Sequence, residues 1–504
     1  METILNQCRR TCYKKVFSAE TTREESVESV VPDVLPDIAQ ILNTDGFVLL
    51  RSKEVDEGRI TLGAAVQACV LYCPDGESGV RRLAVTLPVT VTLDAPGVTE
   101  NSLPVASLRL VSIDARMLNP RKVLVRAEVL VCAACYDAAE LSFCDRIAEN
   151  AGDIQSLPGR VSYTPTRLVR EKTFVMTDRY TIALAQPPIG ELLRYRVELL
   201  PDECKFAGTK YMVKGAARVM LLYAAPESGE VNAAEFESGL SQVIELDGVG
   251  ETADAQVCLM LTGAFLEPLG GEEQREVSIE LHLVAQVVCT ERCENAYLED
   301  AYSNSCELAL TRTQMTLEDV RRCQCLRETL REMLETPEPV REVVHACCRM
   351  GSPSVSGGRI QCPVTVSVLY RGQSDALGCV TRQLKAETNV DPGGELCIEV
   401  QQAYVCQCQA AATAAGIELR IPVEFAVCIT QCKTIQPITG ICSGEARQGG
   451  EPHPSVTLVT AENGESLWTL AKRYASTISQ IAQANGIEEN ADVSGRLLLV
   501  PSVR

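Results

Sequence analysis

Residues 59–72 read RITLGAAVQACVLY. Within them Ile60, Leu62, Ala64, Val66, Ala68, Val70 and Tyr72 occupy every second position, and a period of two sustained this long predicts a half-buried β-strand. The pattern returns twice, as YMVKGAARVMLLY closing at Tyr223 and RIQCPVTVSVLY closing at Tyr370, so the tyrosines stand 151 and 147 residues apart. Recurrence at that interval predicts three copies of one β-rich unit.

Further matches lie on either side of each tyrosine. Downstream, Val123 to Val131, Val277 to Leu283 and Ile417 to Val427 alternate in the same way and predict a second strand in each copy. In the second copy Glu276, Ser278, Glu280 and His282 fill the intervening positions, which places His282 on a solvated face. Upstream, Pro36 and Pro187 each precede their tyrosine by 36 residues; the corresponding segment in the third copy, Glu338-Pro339-Val340, begins 32 residues before Tyr370, about four fewer. Prolines ahead of a short apolar run suit the start of an element. EKTFVMTDRYTI (171–182) could open copy two or complete copy one.

Between copies two and three, TLEDVRRCQCLRETLREML (316–334) has Leu317, Val320, Leu326, Leu330, Met333 and Leu334 at helical intervals. Thr316 suits an N-cap and Pro337 a stop, so an amphipathic helix is expected, with Cys323 and Cys325 as ordinary helix residues. ICSGEARQGGEPHPS (441–455), rich in Gly, Ser and Pro, reads as a linker holding His453.

The last fifty residues change character. Val456–Thr460 suit a strand and Asn463-Gly464 a turn; Ser466 caps a helix bearing Leu467, Leu470, Ala471 and Tyr474 on one face. Thr477 and Gln480 form a capping box for a second helix, Asn485-Gly486 ends it, and Leu497–Val500 form a closing strand stopped by Pro501. The expected fold class is therefore multidomain: three mainly β, sandwich-like repeats with connecting helices, then a small α+β module of order β-α-α-β. The expected boundaries are 1–165 for an N-terminal segment and first repeat, 166–312 for the second, 313–336 for the amphipathic helix, 337–440 for the third, 441–455 for the linker and 456–504 for the module.

Composition narrows the function. The chain has 504 residues with 47 Lys and Arg against 67 Asp and Glu, a net charge of −20, which lacks the basic footprint of a nucleic-acid binder. It has three histidines and no P-loop, HExxH or GxSxG motif, so neither a catalytic constellation nor a metal centre is expected. The spacings of its 24 cysteines do not match paired zinc knuckles, and most are expected to act as small buried hydrophobes. No run of 18 apolar residues occurs and METILNQCRRTCYKKVFSAE lacks a signal-peptide pattern, so a cytoplasmic location without membrane insertion is expected.

Two resemblances add to this reading. Gly464-Glu465-Ser466-Leu467 and the ending Gly495-Arg496-Leu497-Leu498-Leu499-Val500-Pro501 resemble the LysM domain, with Glu465 and Ser466 in place of the usual Asp and Thr. The resemblance implies a groove for N-acetylglucosamine-containing glycan with Gly464, Glu465, Ser466 and Leu467 on one side and Gly486 and Ile487 on the other. Val31-Pro32-Asp33-Val34-Leu35-Pro36-Asp37-Ile38, the strand ending in Leu71-Tyr72 and Asn119-Pro120-Arg121 resemble the SPOCS domain of spore-coat proteins; copies two and three lack the Asn-Pro-Arg. Three such copies and a LysM module together resemble the SipL family of spore morphogenesis proteins. That resemblance implies a non-enzymatic, cofactor-free mother-cell adaptor at the forespore surface, docking through its LysM module to a SpoIVA-like coat morphogenetic ATPase. The alternative is a peptidoglycan-binding protein of the cell or spore wall.

Overall fold

The computed structural model describes residues 5–148, 153–201, 204–250, 252–270, 274–391, 393, 396–446 and 455–502. Six strands make the first unit: β1 (Leu5–Val30), β2 (Ile38–Asp56), β3 (Arg59–Pro74), β4 (Arg81–Asp94), β5 (Leu103–Asn119) and β6 (Lys122–Ile147). β2, β3 and β4 form one antiparallel sheet, while β6 lies between β1 and β5 in another. Alternate side chains of the two sheets, Ile60, Leu62, Val66 and Val70 with Val123, Val125 and Val129, share one core. The result is a sandwich.

After β7 (Ile154–Tyr163) the same order returns in β8 (Thr166–Thr181), β9 (Glu191–Pro201), the short β10 (Lys205–Ala207), β11 (Lys210–Ala224), β12 (Val231–Glu245), β13 (Asp254–Pro268) and β14 (Glu276–Thr290). Residues 171–181 thus belong to the opening strand of the second unit, and Ile182 directly follows it. Following β15 (Cys293–Ser303) and β16 (Cys306–Arg312), it returns again in β17 (Met315–Leu334), β18 (Val340–Met350), β19 (Ser354–Ser356), β20 (Arg359–Gly372), β21 (Leu377–Asn389), β22 (Cys397–Val405), β23 (Gln409–Thr413) and β24 (Gly416–Ile435). In each unit the opening strand reaches across to the closing one: β1 with β6, β8 with β14, β17 with β24.

The amphipathic helix expected over 313–336 is instead strand β17, and no helix connects the units among the described residues. Leu326, Leu330 and Leu334 are spaced by four, an even number that serves a strand's period as well as a helix's. Pairing with β24 from Met315↔Ile435 to Leu334↔Ile417 then overrides the good helix propensity of the stretch. Cys323 is correspondingly a cross-strand residue, disulfide-bonded to Cys428. The expected linker is also shortened: β25 (Ile438–Ala446) pairs with β16 and buries Ile441, while 447–454, including His453, lie outside the described residues.

The recurring sequence features have local causes. The Tyr72 hydroxyl donates to the Pro36 carbonyl and the Tyr223 hydroxyl to the Pro187 carbonyl, both at 3.1 Å, which accounts for the shared offset of 36. Tyr370 lies buried against Gly378, where a Cβ would sit 2.6 Å from its Cζ. The Arg121 guanidinium donates to the carbonyls of Val31 and Leu35, each at 2.9 Å, and so ties down the loop before β2. The second unit lacks the Asn-Pro but keeps this device: Arg275 donates to the carbonyls of Ala183 and Gln186 at 3.0 and 2.7 Å.

The three units close around a common axis. β2, β9 and β18 each carry a register shift opposite the signature tyrosine, at Leu42, Leu193 and Val344. A bulge re-aims the side chain it carries. These three residues meet Leu71, Leu222 and Leu369, the residues just before the tyrosines, in one small core shared by all units. Beside it Asp45 of the first unit, 1% exposed, hydrogen-bonds to Arg349 of the third and lies 3.7 and 3.9 Å from Arg194 and Arg196 of the second. Burial lowers the pKa of Arg349 to about 10. Desolvation, then Arg194 and Arg196, hold His345 down at about 3, so it stays neutral here.

The edge strands β5, β13 and β22 converge around the same axis and are stitched in a cycle. Arg109 donates to the Ala403 carbonyl (2.9 Å), Gln402 to that of Val257 (3.2 Å) and the Cys258 thiol to that of Ala106 (3.7 Å). Side chains of neighbouring units thereby engage carbonyls on edges that would otherwise invite further pairing.

Candidate functional site

The C-terminal module follows at β26 (Val456–Thr460), α1 (Leu467–Arg473), α2 (Ile478–Asn485) and β27 (Leu497–Pro501), with the two strands antiparallel. Each helix begins on a side-chain acceptor: Ser466 Oγ takes the Thr469 N–H at 3.3 Å and Thr477 Oγ1 the Gln480 N–H at 3.2 Å. Gly486 caps α2 in the left-handed region at φ 61°, and Gly464 turns the preceding loop at φ 81°. Leu467, Leu470, Ile481, Leu498 and Val500 form the core.

The structure sorts the six expected groove residues into two sets. Gly464, Ser466 and Gly486 are exposed, as backbone and small polar groups that could read a glycan would have to be. Leu467 is buried, and Ile487 packs against the same core from the second loop, so these two join the loops beneath the surface. Glu465 is turned inward: its carboxylate accepts the Glu462 N–H at 3.0 Å and pairs with Arg473 at 2.8 Å. It acts as a loop brace.

Sequence reasoning missed Asn485 and Ser494. The Asn485 side chain donates to the carbonyls of Ile481 (2.8 Å) and Leu499 (2.7 Å) and accepts the Leu499 N–H (2.8 Å), fixing the end of α2 to β27. Ser494 Oγ accepts the Gly464 N–H at 3.1 Å and holds the first loop. The Asn-Gly pair signals a helix end in the sequence, but nothing there shows that the amide reaches another strand.

A cavity of about 740 Å³ lies in the body, with β5, β13 and β22 among the strands that line it. Its wall carries both signs of charge, Arg109, Arg196 and Arg349 with Glu20, Glu198 and Glu399, and so favours no one class of ligand. Among the described residues no group of three or more His, Cys, Asp and Glu side chains is placed to hold a metal ion. No described helix is long and apolar enough to cross a membrane.

Comparison with known proteins agrees with the two regions singled out. Residues 37–118, from the loop before β2 to the end of β5, match the family model described as SipL, SPOCS domain, and residues 459–501 match that of the LysM domain. No curated protein and no solved structure matches the chain. The chain thus carries a SipL-type SPOCS domain and a C-terminal LysM domain, the combination expected of a SipL-like protein.

Proposed function

We propose that the protein is a non-enzymatic adaptor of bacterial spore coat or envelope assembly, with its LysM module as the docking head. The observation that carries this reading is the union, in one chain, of a SipL-type SPOCS domain with a LysM domain. LysM domains generally bind N-acetylglucosamine-containing glycans such as peptidoglycan, and the exposed Gly464, Ser466 and Gly486 suit that chemistry. In the adaptor reading the three sandwiches are copies of the SPOCS domain, and the module docks to a SpoIVA-like coat morphogenetic ATPase at the forespore surface of the mother cell. The second reading, a peptidoglycan-binding protein of the wall, is favoured by the same exposed groups.

The deciding experiment uses the full chain and measures binding to an N-acetylglucosamine hexamer and to the purified ATPase side by side. A Ser466→Asp variant retains an N-cap acceptor while placing a charge on the groove. ATPase binding without hexamer binding supports the adaptor, hexamer binding alone supports the wall protein, and binding of neither overturns both. Loss of hexamer binding in Ser466→Asp would place the glycan at these loops.

A further inference from the structure

We propose that the LysM module is latched to the body through its first helix, on a seat formed by β7 and β15, and that this latch withholds the Trp468 face from other ligands while leaving the groove loops free.

Asp300, on β15, anchors the latch. Its carboxylate accepts the Trp468 indole N–H at 2.9 Å and the Lys472 ammonium at 2.6 Å, both from α1. Arg312 of the body pairs with the other oxygen at 3.1 Å and holds the acceptor in place. Burial pushes the Asp300 carboxyl up, but the hydrogen bonds from Lys472 and Trp468 outweigh it and hold it below the usual carboxylate range. Tyr302 meets the Trp468 ring edge-on with centroids 4.8 Å apart. Leu157, from β7, joins the same cluster. Trp468, the only tryptophan in the chain, is thereby left 9% exposed.

A second contact point stands on backbone geometry. Ala475, just past α1, adopts φ 50°, a left-handed conformation disfavoured for a residue with a Cβ. That turn directs the wholly buried Ser476 at the body, where its carbonyl accepts from the Tyr302 hydroxyl (2.8 Å) and the Asn304 amide (3.3 Å). The module itself holds the Ser476 N–H, through the Ala471 carbonyl at 2.9 Å, and the seat supplies the donors to the Ser476 carbonyl. The covalent connection also favours docking within one chain, because Ala446, the last residue of β25, pairs with Cys306 just beyond the end of β15. A short tether of this kind keeps the module at high effective concentration over its seat. Gly464, Ser466 and Gly486 remain exposed in the latched state.

The test reads Trp468 fluorescence in the full chain. The wild-type protein is expected to show blue-shifted emission and weak acrylamide quenching; Asp300→Ala combined with Tyr302→Phe should raise the quenching constant at least about threefold. Wild-type quenching as strong as that of the double variant would overturn the latch. Hydrogen exchange at Ile481 and Leu498 shows whether the module core stays folded: retained protection in the double variant supports a latch between folded parts. Lost protection overturns it, because the contact would then belong to the module's own core. The statement about the groove rests on the glycan reading and has a separate readout. N-acetylglucosamine hexamer affinity should agree within about twofold between wild type and double variant, and a larger change would overturn the independence of groove and latch. Failure of the hexamer to bind either protein refutes the glycan reading, while the fluorescence still decides the latch.

Discussion

Two stretches of this chain have helical spacing, Thr316–Leu334 and Ser466–Asn485, yet the first is a strand and the second holds both helices. What separates them is the range of the interactions available. The module's helices carry capping oxygens on Ser466 and Thr477 and a left-handed glycine at Gly486, all within a few residues of the backbone groups they satisfy. The earlier stretch has a long partner strand, Gly416–Ile435, about a hundred residues away and already committed to the third unit's core. Helix formation is settled locally only where no such partner exists. A similar contrast separates the regions: the opening and closing strands of each body unit pair across about a hundred residues, whereas the module's helix caps act within three or four.

The strongest way to break this comparison is to remove a buried contact that joins all three units of the body. Asp45→Ala leaves three buried guanidiniums without their shared carboxylate and should destabilise the body by about 3–5 kcal/mol. Thermal unfolding followed by circular dichroism should show the loss, with Ile481 and Leu498 in the module still protected from hydrogen exchange. If the module loses protection in parallel, the two regions fold as one.

Opening the Cys323–Cys428 bond comes next. It joins the first and last strands of the third unit across 105 residues of chain, and its reduction should cost about 2–4 kcal/mol by releasing that loop in the unfolded state. Denaturant titration with and without dithiothreitol checks this, and a Cys323→Ala/Cys428→Ala protein should be insensitive to the reductant.

A smaller and purely local effect is expected in the module. Ser466→Ala removes the acceptor for the Thr469 N–H and should cost the module about 1 kcal/mol, read as faster hydrogen exchange in α1 with the body unchanged. The mildest change sharpens the comparison within β17 itself. Glu328→Thr replaces a helix former with a strand former opposite Val423, and should stabilise the third unit by a few tenths of a kcal/mol, up to about 1. Destabilisation by that variant would point to helical character in this stretch in solution.

The signature residues show how far a motif can be read. Tyr72 and Pro36 were legible as a recurring pair because one hydrogen bond at 3.1 Å fixes their spacing in both of the first two units. Asn119-Pro120-Arg121 was legible only in part, since the arginine does the tying and Arg275 does it without the Asn-Pro. Among the expected groove residues, Gly464, Ser466 and Gly486 were legible through the caps and turns their residue types favour, whereas the inward turn of Glu465 depends on Arg473, one helix away.

The alternating strands at 60–72, 211–223 and 360–370 and the module's order of strand, helix, helix and strand were determined by the sequence itself, because periodicity and capping act over a few residues. Tertiary structure alone decided that 315–334 is a strand, that Leu42, Leu193 and Val344 meet at one axis, that a single carboxylate at Asp45 serves guanidiniums from two other units, and that Trp468 rests on Tyr302. Each joins residues far apart in the chain, and their energies arise only once both partners have left water together.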